Sequence, residues 1–172
     1  MIRIILPIFF FIIVFSKFSY ANEKIVFIDI DRVIYESDLG KKIAKKMDSD
    51  FKKEENKLNK IEKDLKKKEE DIVKQKNILS EEELNKKVKS LREEISKFKN
   101  DRNSLLKKFQ QEKLRKVNKM VDALNRILSQ YAANESIDII VQKKNIVIGK
   151  SDLDITDKIL KIFNKNVTSL KD

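Results

Sequence analysis

The sequence predicts an α+β protein in which a small body of three short strands carries a long antiparallel helical hairpin and a short C-terminal helix. Residues 41–148 contain no glycine and no proline, so nothing in this stretch would end or kink a helix. Short β-branched runs lie on both sides of it. Charged residues make up 39% of the 172, and the mean hydropathy is -0.49. Too few apolar side chains therefore remain for one compact core, and much of the chain is predicted to be extended.

The N-terminal segment has the features of a cleavable export signal. Arg3 supplies a positive charge, residues 4–15 are apolar, and Ser19-Tyr20-Ala21 places small residues at the two positions that a signal peptidase reads. The apolar run is shorter than the ~20 residues of a membrane span, which disfavours an uncleaved anchor. We therefore predict a signal peptide over residues 1–21 and an exported mature protein that begins at Asn22.

Three short segments are predicted to form the sheet of the body. Residues 24–30 (KIVFIDI) are β-branched and apolar, and so are residues 137–141 and 146–148. The polar residues 142–145 (QKKN) between the last two segments indicate a hairpin turn. The sheet would gather both chain ends into a body that comprises residues 22–40 and 114–172.

Residues 41–113 are predicted to form the helical arm. Every seventh residue of its first helix is apolar, a spacing that keeps these side chains on one face: Ala44, Phe51, Leu58, Leu65, Ile72 and Leu79. The helix is expected to end near Leu79, because Ser80 and Glu83 have the spacing of a capping box that would start the next helix. The arm tip is thus predicted near residues 79–83.

The second arm helix continues the apolar pattern with a longer period. After Leu84, Val88 and Leu91, apolar residues recur eleven positions apart, which favours straight packing over a tight supercoil. Folding back at Ser80 predicts that Phe51 faces Phe109 and that Leu65 faces Ile95. At 1.5 Å per residue the arm would be about 60 Å long.

The C-terminal segment is predicted to be a short amphipathic helix that covers the sheet. Asp154 is the expected N-cap, and Asp157 is an acid in the first turn, where the helix dipole favours it. One face would be apolar and would consist of Ile155, Ile159, Phe163 and Val167.

The composition argues against an enzyme. Cysteine and histidine are both absent, which removes thiol nucleophiles, imidazole acid–base catalysis and the commonest zinc ligands. We predict no catalytic residue, no metal and no cofactor. Asp29 and Asp31 resemble the DxD nucleophile loop of haloacid-dehalogenase-type phosphatases, but that chemistry needs a larger parallel sheet. The alternative is that both aspartates cap the strand end and pair with Arg32 or a nearby lysine.

The positive charge indicates acidic partners. The formal net charge is +11, and removal of Arg3 and Lys17 with the signal peptide leaves +9. A nucleic-acid-binding module is one alternative, supported by the basic cluster Lys107, Lys108, Lys113, Arg115, Lys116, Lys119 and Arg126. The export signal and the lack of a groove-reading motif argue against it. An exported coiled-coil adaptor, a hairpin that docks onto another coiled coil, is the other alternative.

The mature chain resembles the Skp/OmpH-like family of periplasmic chaperones. The resemblance is carried by residues 24–34 (KIVFIDIDRVI) with Glu36, Ser37 and Gly40, by residues 137–141 (IDIIV), and by residues 153–156 (LDIT). It implies a periplasmic homotrimer that holds unfolded outer-membrane β-barrel proteins, without ATP, in a cavity between helical arms. Lipopolysaccharide or an anionic membrane surface is a further candidate partner, and nucleic acid is not expected.

Under this interpretation three groups of residues are predicted to carry the function. The apolar stripe of the arm would contact the client through Phe51, Leu58, Leu65, Ile72, Leu84, Leu91 and Phe98. Cations of the outer arm would attract acidic clients: Lys66, Lys67, Lys68, Lys86, Lys87, Lys89 and Arg92. Strand residues of the body would form the oligomer: Ile25, Phe27, Ile139, Val141 and Val147.

Overall fold

The computed structural model describes residues 23–170, and the predicted signal peptide lies outside the described residues. In chain order the elements are β1 (Ile25–Ile28), α1 (Ile30–Glu36), α2 (Asp38–Gln75), α3 (Glu81–Glu135), β2 (Ile139–Gln142) and α4 (Thr156–Asn166). Two 3₁₀ turns, Lys143–Asn145 and Ser151–Leu153, lie between β2 and α4. The predicted α+β class, with a small sheet, a long helical arm and a C-terminal helix, is confirmed. Within residues 23–170, no helix is both long and apolar enough to cross a membrane.

The sheet of the described residues has two strands, and they are parallel. β1 pairs with β2 from Ile25 opposite Ile139 to Ile28 opposite Gln142. The connection between the two strands runs through α1, α2 and α3, and a parallel pair requires a long crossover of this kind. Ser136 ends α3 in the left-handed conformation with φ 50°, and its N–H donates to the Ala132 carbonyl. This cap turns the chain from the helix into β2.

The predicted third strand and its hairpin are wrong. Residues 143–145 form a 3₁₀ turn instead of a hairpin turn, and Val147 lies in an unpaired bend beyond it. The chain passes close to Phe27 at Gly149, where an added Cβ would lie 2.7 Å from the phenyl ring. It then reaches the second edge of β1, where the Ile155 N–H donates to the Phe27 carbonyl at 3.0 Å. That edge is therefore occupied by residues 154–155 and is not open to residues 146–148.

The hydrophobic core lies in the body and includes the lower end of α3. Val26 and Ile28 of β1 belong to one buried cluster with Val33 and Ile34 of α1, the α3 residues Met120, Leu124 and Ile127, and the α4 residues Ile159 and Phe163. The predicted apolar face of α4 is confirmed, since Ile155, Ile159 and Phe163 are buried and Val167 packs against the cluster. α4 itself packs mainly on α1 and α3.

The arm is formed by α2 and the first two thirds of α3, which run antiparallel. α2 ends at Gln75, four residues before the predicted end, because the N–H groups of Ile78 and Leu79 both donate to the Gln75 carbonyl and tighten the chain into a turn. The predicted capping box is confirmed, with the Ser80 hydroxyl accepting from Glu83 N–H and the Glu83 carboxylate accepting from Ser80 N–H. With 38 residues, α2 is about 57 Å long.

The joint between α1 and α2 fixes where the arm leaves the body. Ser37 is fully buried; its hydroxyl accepts from the Gly40 N–H at 3.1 Å and donates to the Ile34 carbonyl at 3.2 Å. The next N–H, that of Asp38, donates to the Asn164 side chain of α4 at 2.9 Å. The first turn of α2 is thus capped both by its own N-cap residue and by the C-terminal helix.

Candidate functional site

The described residues contain no cluster of acids that could hold a metal ion, and cysteine and histidine are absent from the whole sequence. Every buried side-chain nitrogen or oxygen in residues 23–170 has a hydrogen-bond partner. No unpaired buried polar group therefore marks a reaction centre in this part of the chain. The functional candidates are surfaces of the arm and the body.

Asp29 and Asp31, the pair that resembles a phosphatase loop, have structural surroundings. Asp29 is the N-cap of α1: its side chain accepts from the Arg32 N–H at 2.9 Å, and its own N–H donates to the Thr156 hydroxyl. Asp31 is an exposed acid in the first turn of α1. The alternative interpretation predicted that these aspartates pair with Arg32 or a nearby lysine. The ion pair with Arg32 is wrong, because the Arg32 guanidinium contacts Glu36 at 3.0 Å and Asp157 at 2.9 Å instead.

A second polar network connects the end of β2 with the start of α4. Lys143 Nζ lies 2.7 Å from Asp154 Oδ2, while Asp154 Oδ1 accepts from both the N–H and the hydroxyl of Thr156. Burial alone would raise the pKa of Asp154, but the hydrogen bonds from Lys143 and Thr156 outweigh it and leave the pKa below its ordinary value of 3.8. α4 begins at Thr156 and its N-cap residue is Ile155, so the prediction of Asp154 as the N-cap is wrong by one position. The Asp154 carboxylate still accepts from the N–H of Thr156, the first residue of the helix.

The predicted client-binding stripe forms the seam between α2 and α3. Leu65 and Leu91 are buried, and the other five predicted members, Phe51, Leu58, Ile72, Leu84 and Phe98, are half-buried. The predicted contact of Phe51 with Phe109 is confirmed, with ring centroids 5.2 Å apart and planes at 81°. Edge-to-face pairs of this kind contribute about 0.5–1.5 kcal/mol beyond their buried area. The stripe residues therefore hold the two arm helices together, and only the half-buried ones retain some accessible surface.

A groove of about 640 Å³ runs along one side of the arm. Its apolar lining is Leu65, Ile95, Phe98 and Leu106, and its charged rim includes Lys66, Lys99, Arg102, Glu62 and Glu69. The predicted neighbours Leu65 and Ile95 both line it. Leu106 is exposed, and so are Ile61 and Val73 of α2 and Ile78 of the tip turn, the last with 82% of its surface accessible. These exposed residues were not predicted as site residues, because they lie off the heptad line.

The predicted electrostatic residues of the outer arm are partly neutralised. Lys66 pairs with Glu62 at 3.6 Å, Lys68 with Glu94 at 2.6 Å, and Lys86 with Glu82 at 2.6 Å. Lys87 donates to the side chain of Gln75 at 2.8 Å. Among the described residues, the other three predicted cations, Lys67, Lys89 and Arg92, have no ion-pair partner.

The five predicted oligomer residues differ in their surroundings. Phe27 is buried within the chain, and Val141 is half-buried. Ile25 and Ile139 are paired neighbours on the adjacent strands β1 and β2, and their side chains are 43% and 45% exposed. Val147 is 97% exposed and its neighbour Ile148, which was not predicted, is 91% exposed. The outer side of β2 and the following bend thus present apolar side chains to the surroundings.

A small α+β body that carries a long two-helix arm defines the chain as a helical-hairpin protein. The family model described as outer membrane protein (OmpH-like) matches residues 24–163. The chain therefore belongs to the OmpH-like family.

Comparison with solved structures supports the same fold. A crystal structure of an OmpH-like outer membrane chaperone from Caulobacter crescentus superposes with a TM-score of 0.80 over 90% of this chain and 91% of the other, at 12% sequence identity. At this identity the likeness is one of fold. No curated protein matches this chain in a sequence search.

Proposed function

We propose that this chain is an ATP-independent holdase chaperone of the periplasm that binds unfolded outer-membrane β-barrel proteins between helical arms and has no enzymatic activity. Membership of the OmpH-like family supports a chaperone-type role. The observation that carries the proposal is the arm itself: a two-helix hairpin about 57 Å long that leaves a small body and forms a thin surface with few buried residues.

The client would contact the apolar surface that remains after the two helices pack together. This surface consists of the half-buried stripe residues, the 640 Å³ groove and the exposed side chains Ile61, Val73, Ile78 and Leu106. Each contact is small and is flanked by charges, which suits weak and sequence-tolerant binding. Several such contacts on neighbouring arms would add up through effective concentration, so no single residue is expected to be decisive.

We propose that three copies assemble through the body. A two-stranded sheet is marginal by itself, and the outer edge of β2 has no partner strand within residues 23–170. Ile25, Ile139, Val147 and Ile148 lie in this region, so assembly would remove an exposed apolar surface from water. Three arms from one body would enclose a cavity for the client.

Shortening the arm without changing its register tests the proposal. Deleting residues 57–74 and 87–104 removes 18 residues, or five turns, from each helix and keeps the tip turn, so facing positions remain matched and the arm loses about 27 Å. The variant should keep the same number of subunits as the parent and should fail to prevent aggregation of an unfolded outer-membrane barrel protein diluted from urea. A shortened oligomer that protects this client as well as the parent would overturn the proposal.

A coiled-coil adaptor is the second candidate, because Val73 and Ile78 expose apolar surface at the end of the arm, where a partner coiled coil could dock. The same two proteins distinguish the candidates. An adaptor should not suppress aggregation even with the full-length arm, whereas a holdase should do so in the absence of any nucleotide.

A further inference from the structure

The positive charge of the chain is concentrated where the arm meets the body. Residues 38–53 of α2 and 107–126 of α3 hold 13 cations and 5 acids, a net charge of +8. The outer arm, residues 54–106, holds 15 cations and 13 acids, a net charge of +2, and the remaining mature residues are close to neutral. We name the two inner segments the root band. Its net charge of +8 is almost the whole of the +9 that the chain carries once residues 1–21 are removed.

The two segments of the root band lie side by side. The contact between Phe51 and Phe109 fixes their antiparallel register, and Met120 at the lower end is buried in the core of the body. On α3, four cations are spaced by seven, four and seven residues, which places them along one face of the helix: Lys108, Arg115, Lys119 and Arg126. The cations of α2 are on exposed positions.

Most root-band cations are not neutralised by neighbours. Three ion pairs join described residues of it, namely Lys46 with Asp50, Lys52 with Asp48, and Lys116 with Glu112, and Lys119 has an interaction partner as well. In the part of the chain that the structure describes, the following cations have no acid within 4.0 Å: Lys41, Lys42, Lys45, Lys53, Lys107, Lys108, Lys113, Arg115 and Arg126. The root band therefore carries a large uncompensated positive charge. In the outer arm, by contrast, acids offset most of the cations.

The α3 cations lead into a groove between α3 and the C-terminal segment. This groove has a volume of about 760 Å³ and is lined by Lys119 and Arg126, by the apolar residues Ala123, Ile127, Val167 and Leu170, and by the polar residues Asp122, Gln130, Asn166 and Ser169. Cations beside apolar side chains fit a ligand that carries both carboxylates and apolar groups. An acidic segment of an unfolded polypeptide has that chemistry.

We propose that the root band is the surface that first captures acidic segments of an unfolded client, and that the outer arm contacts the chain afterwards. The proposal rests on the proposed chaperone function and locates its electrostatic step at the root rather than on the outer-arm cations. Exposed cations lie on both helices, so a flexible polypeptide that wraps the arm can reach more of them than a flat lipid surface can. Charge of one sign in a confined region raises the encounter rate with oppositely charged partners.

The test compares two variants that lose the same charge at different places. The root variant carries Lys53→Gln, Lys108→Gln and Arg115→Gln. The matched outer variant carries Lys67→Gln, Lys89→Gln and Arg92→Gln. All six positions are exposed, have no ion-pair partner within residues 23–170 and lie in helices, where glutamine is a good helix former. Each variant removes two lysines and one arginine.

The measurement is the stopped-flow capture rate of a labelled, unfolded outer-membrane barrel protein of net negative charge. At about 0.05 M salt, where the Debye length exceeds 10 Å, the root variant should be slowed about three- to tenfold and the outer variant less than about twofold. At about 0.5 M salt, where the Debye length is below 5 Å, the three rates should converge. Equal slowing of the two variants at low salt would overturn the proposal and leave the holdase function standing.

Two further outcomes separate the proposal from its alternatives. If the parent protein captures no client at any salt concentration, the proposed holdase function fails and the capture step fails with it. Binding to vesicles of phosphatidylcholine with about one third phosphatidylglycerol is measured in parallel. A root variant that loses vesicle binding but captures the client at the parental rate would assign the root band to a membrane surface and overturn the proposal.

Discussion

Replacing Gly40 by alanine should destabilise the protein through a clash at the root of the arm. An ideal Cβ at this position would lie 1.9 Å from the Ile34 carbonyl oxygen and 3.0 Å from the Ser37 hydroxyl. Real Cβ atoms do not approach other atoms closer than about 3.0 Å. The Ile34 carbonyl belongs to the backbone of α1 in the buried core, so it cannot move aside as a flexible side chain would.

Two effects of opposite sign decide the magnitude. Gly40 lies in the first turn of α2, and alanine is favoured over glycine in a helix by up to about 1 kcal/mol. Overpacking costs about 1–3 kcal/mol and more where rigid backbone is involved. A contact that is more than 1 Å too short against the backbone belongs at the upper end of that range. We therefore expect a net loss of about 2 kcal/mol or more.

Urea denaturation followed by circular dichroism measures this loss, at one protein concentration because assembly affects stability. The matched control is Ser49→Ala, an exposed substitution in the same helix that changes propensity without a clash and should be neutral or slightly stabilising. A Gly40→Ala protein that is as stable as the parent, or more stable, would show that α1 and α2 do not meet at this joint as described.

Three other substitutions test separate parts of the structure. Asp154→Asn should lower the urea midpoint at pH 7, because the pKa of Asp154 is lower in the folded protein than its ordinary value of 3.8 and its ionised form stabilises the fold. The difference from the parent should disappear as the pH falls below 3.8 and the carboxylate becomes protonated. A difference that persists at about pH 2 would contradict this. Ile139→Asp should dissociate the proposed trimer in light scattering while the circular dichroism of the helices persists, because this side chain is 45% exposed in the single chain. A trimer that is unchanged by this substitution would exclude β2 from the interface. Ser80→Ala should speed hydrogen exchange at the first N–H groups of α3 but not at Met120, and unchanged exchange would show that the capping box does not hold the tip turn.

The arm could be predicted from the sequence because its determinants are local. A seven-residue apolar repeat defines the contact face of α2, and the spacing of Ser80 and Glu83 defines the start of α3. Once the turn is placed, the register follows, so the contact of Phe51 with Phe109 was predictable from two distant residues. The end of α2 at Gln75 was missed, because residues 76–79 have helical propensity and the turn depends on carbonyl sharing at Gln75.

The sheet could not be predicted from local patterns alone. Residues 146–148 have the composition of a strand, but a strand forms only where a partner edge is free. One edge of β1 is paired with β2, and the other accepts from the Ile155 N–H, so residues 146–148 have no place beside β1 in this chain. The cap that Asn164 provides to α2 could not be predicted from local patterns either, because it joins residues that are 126 positions apart.

The predicted electrostatic residues show that neighbouring acids decide how much net charge a cation contributes. The outer-arm cations that the sequence predicts to attract clients are partly neutralised by acids four positions away or on the facing helix. Lys66 and Lys86 have i,i+4 partners, and Lys68 has a partner on the other helix. The root band can be recognised only when the net charge is counted over both facing helix segments together. That count requires the register of the hairpin.

The buried side chains are concentrated in the body, and few of them lie in the outer arm. α3 is continuous from the tip to the core, where Met120 and Leu124 are buried. α2 joins the body through its first two turns, at Gly40 and Ile43. Toward the tip, the seam depends on few buried side chains, of which Leu65 and Leu91 are the main ones. Opening of the outer seam therefore exposes less apolar area, and costs less free energy, than unfolding of the body. Under the proposed holdase function, an arm with this gradient would adapt to clients of different shape at its outer end, while its charged root keeps a fixed position on the body.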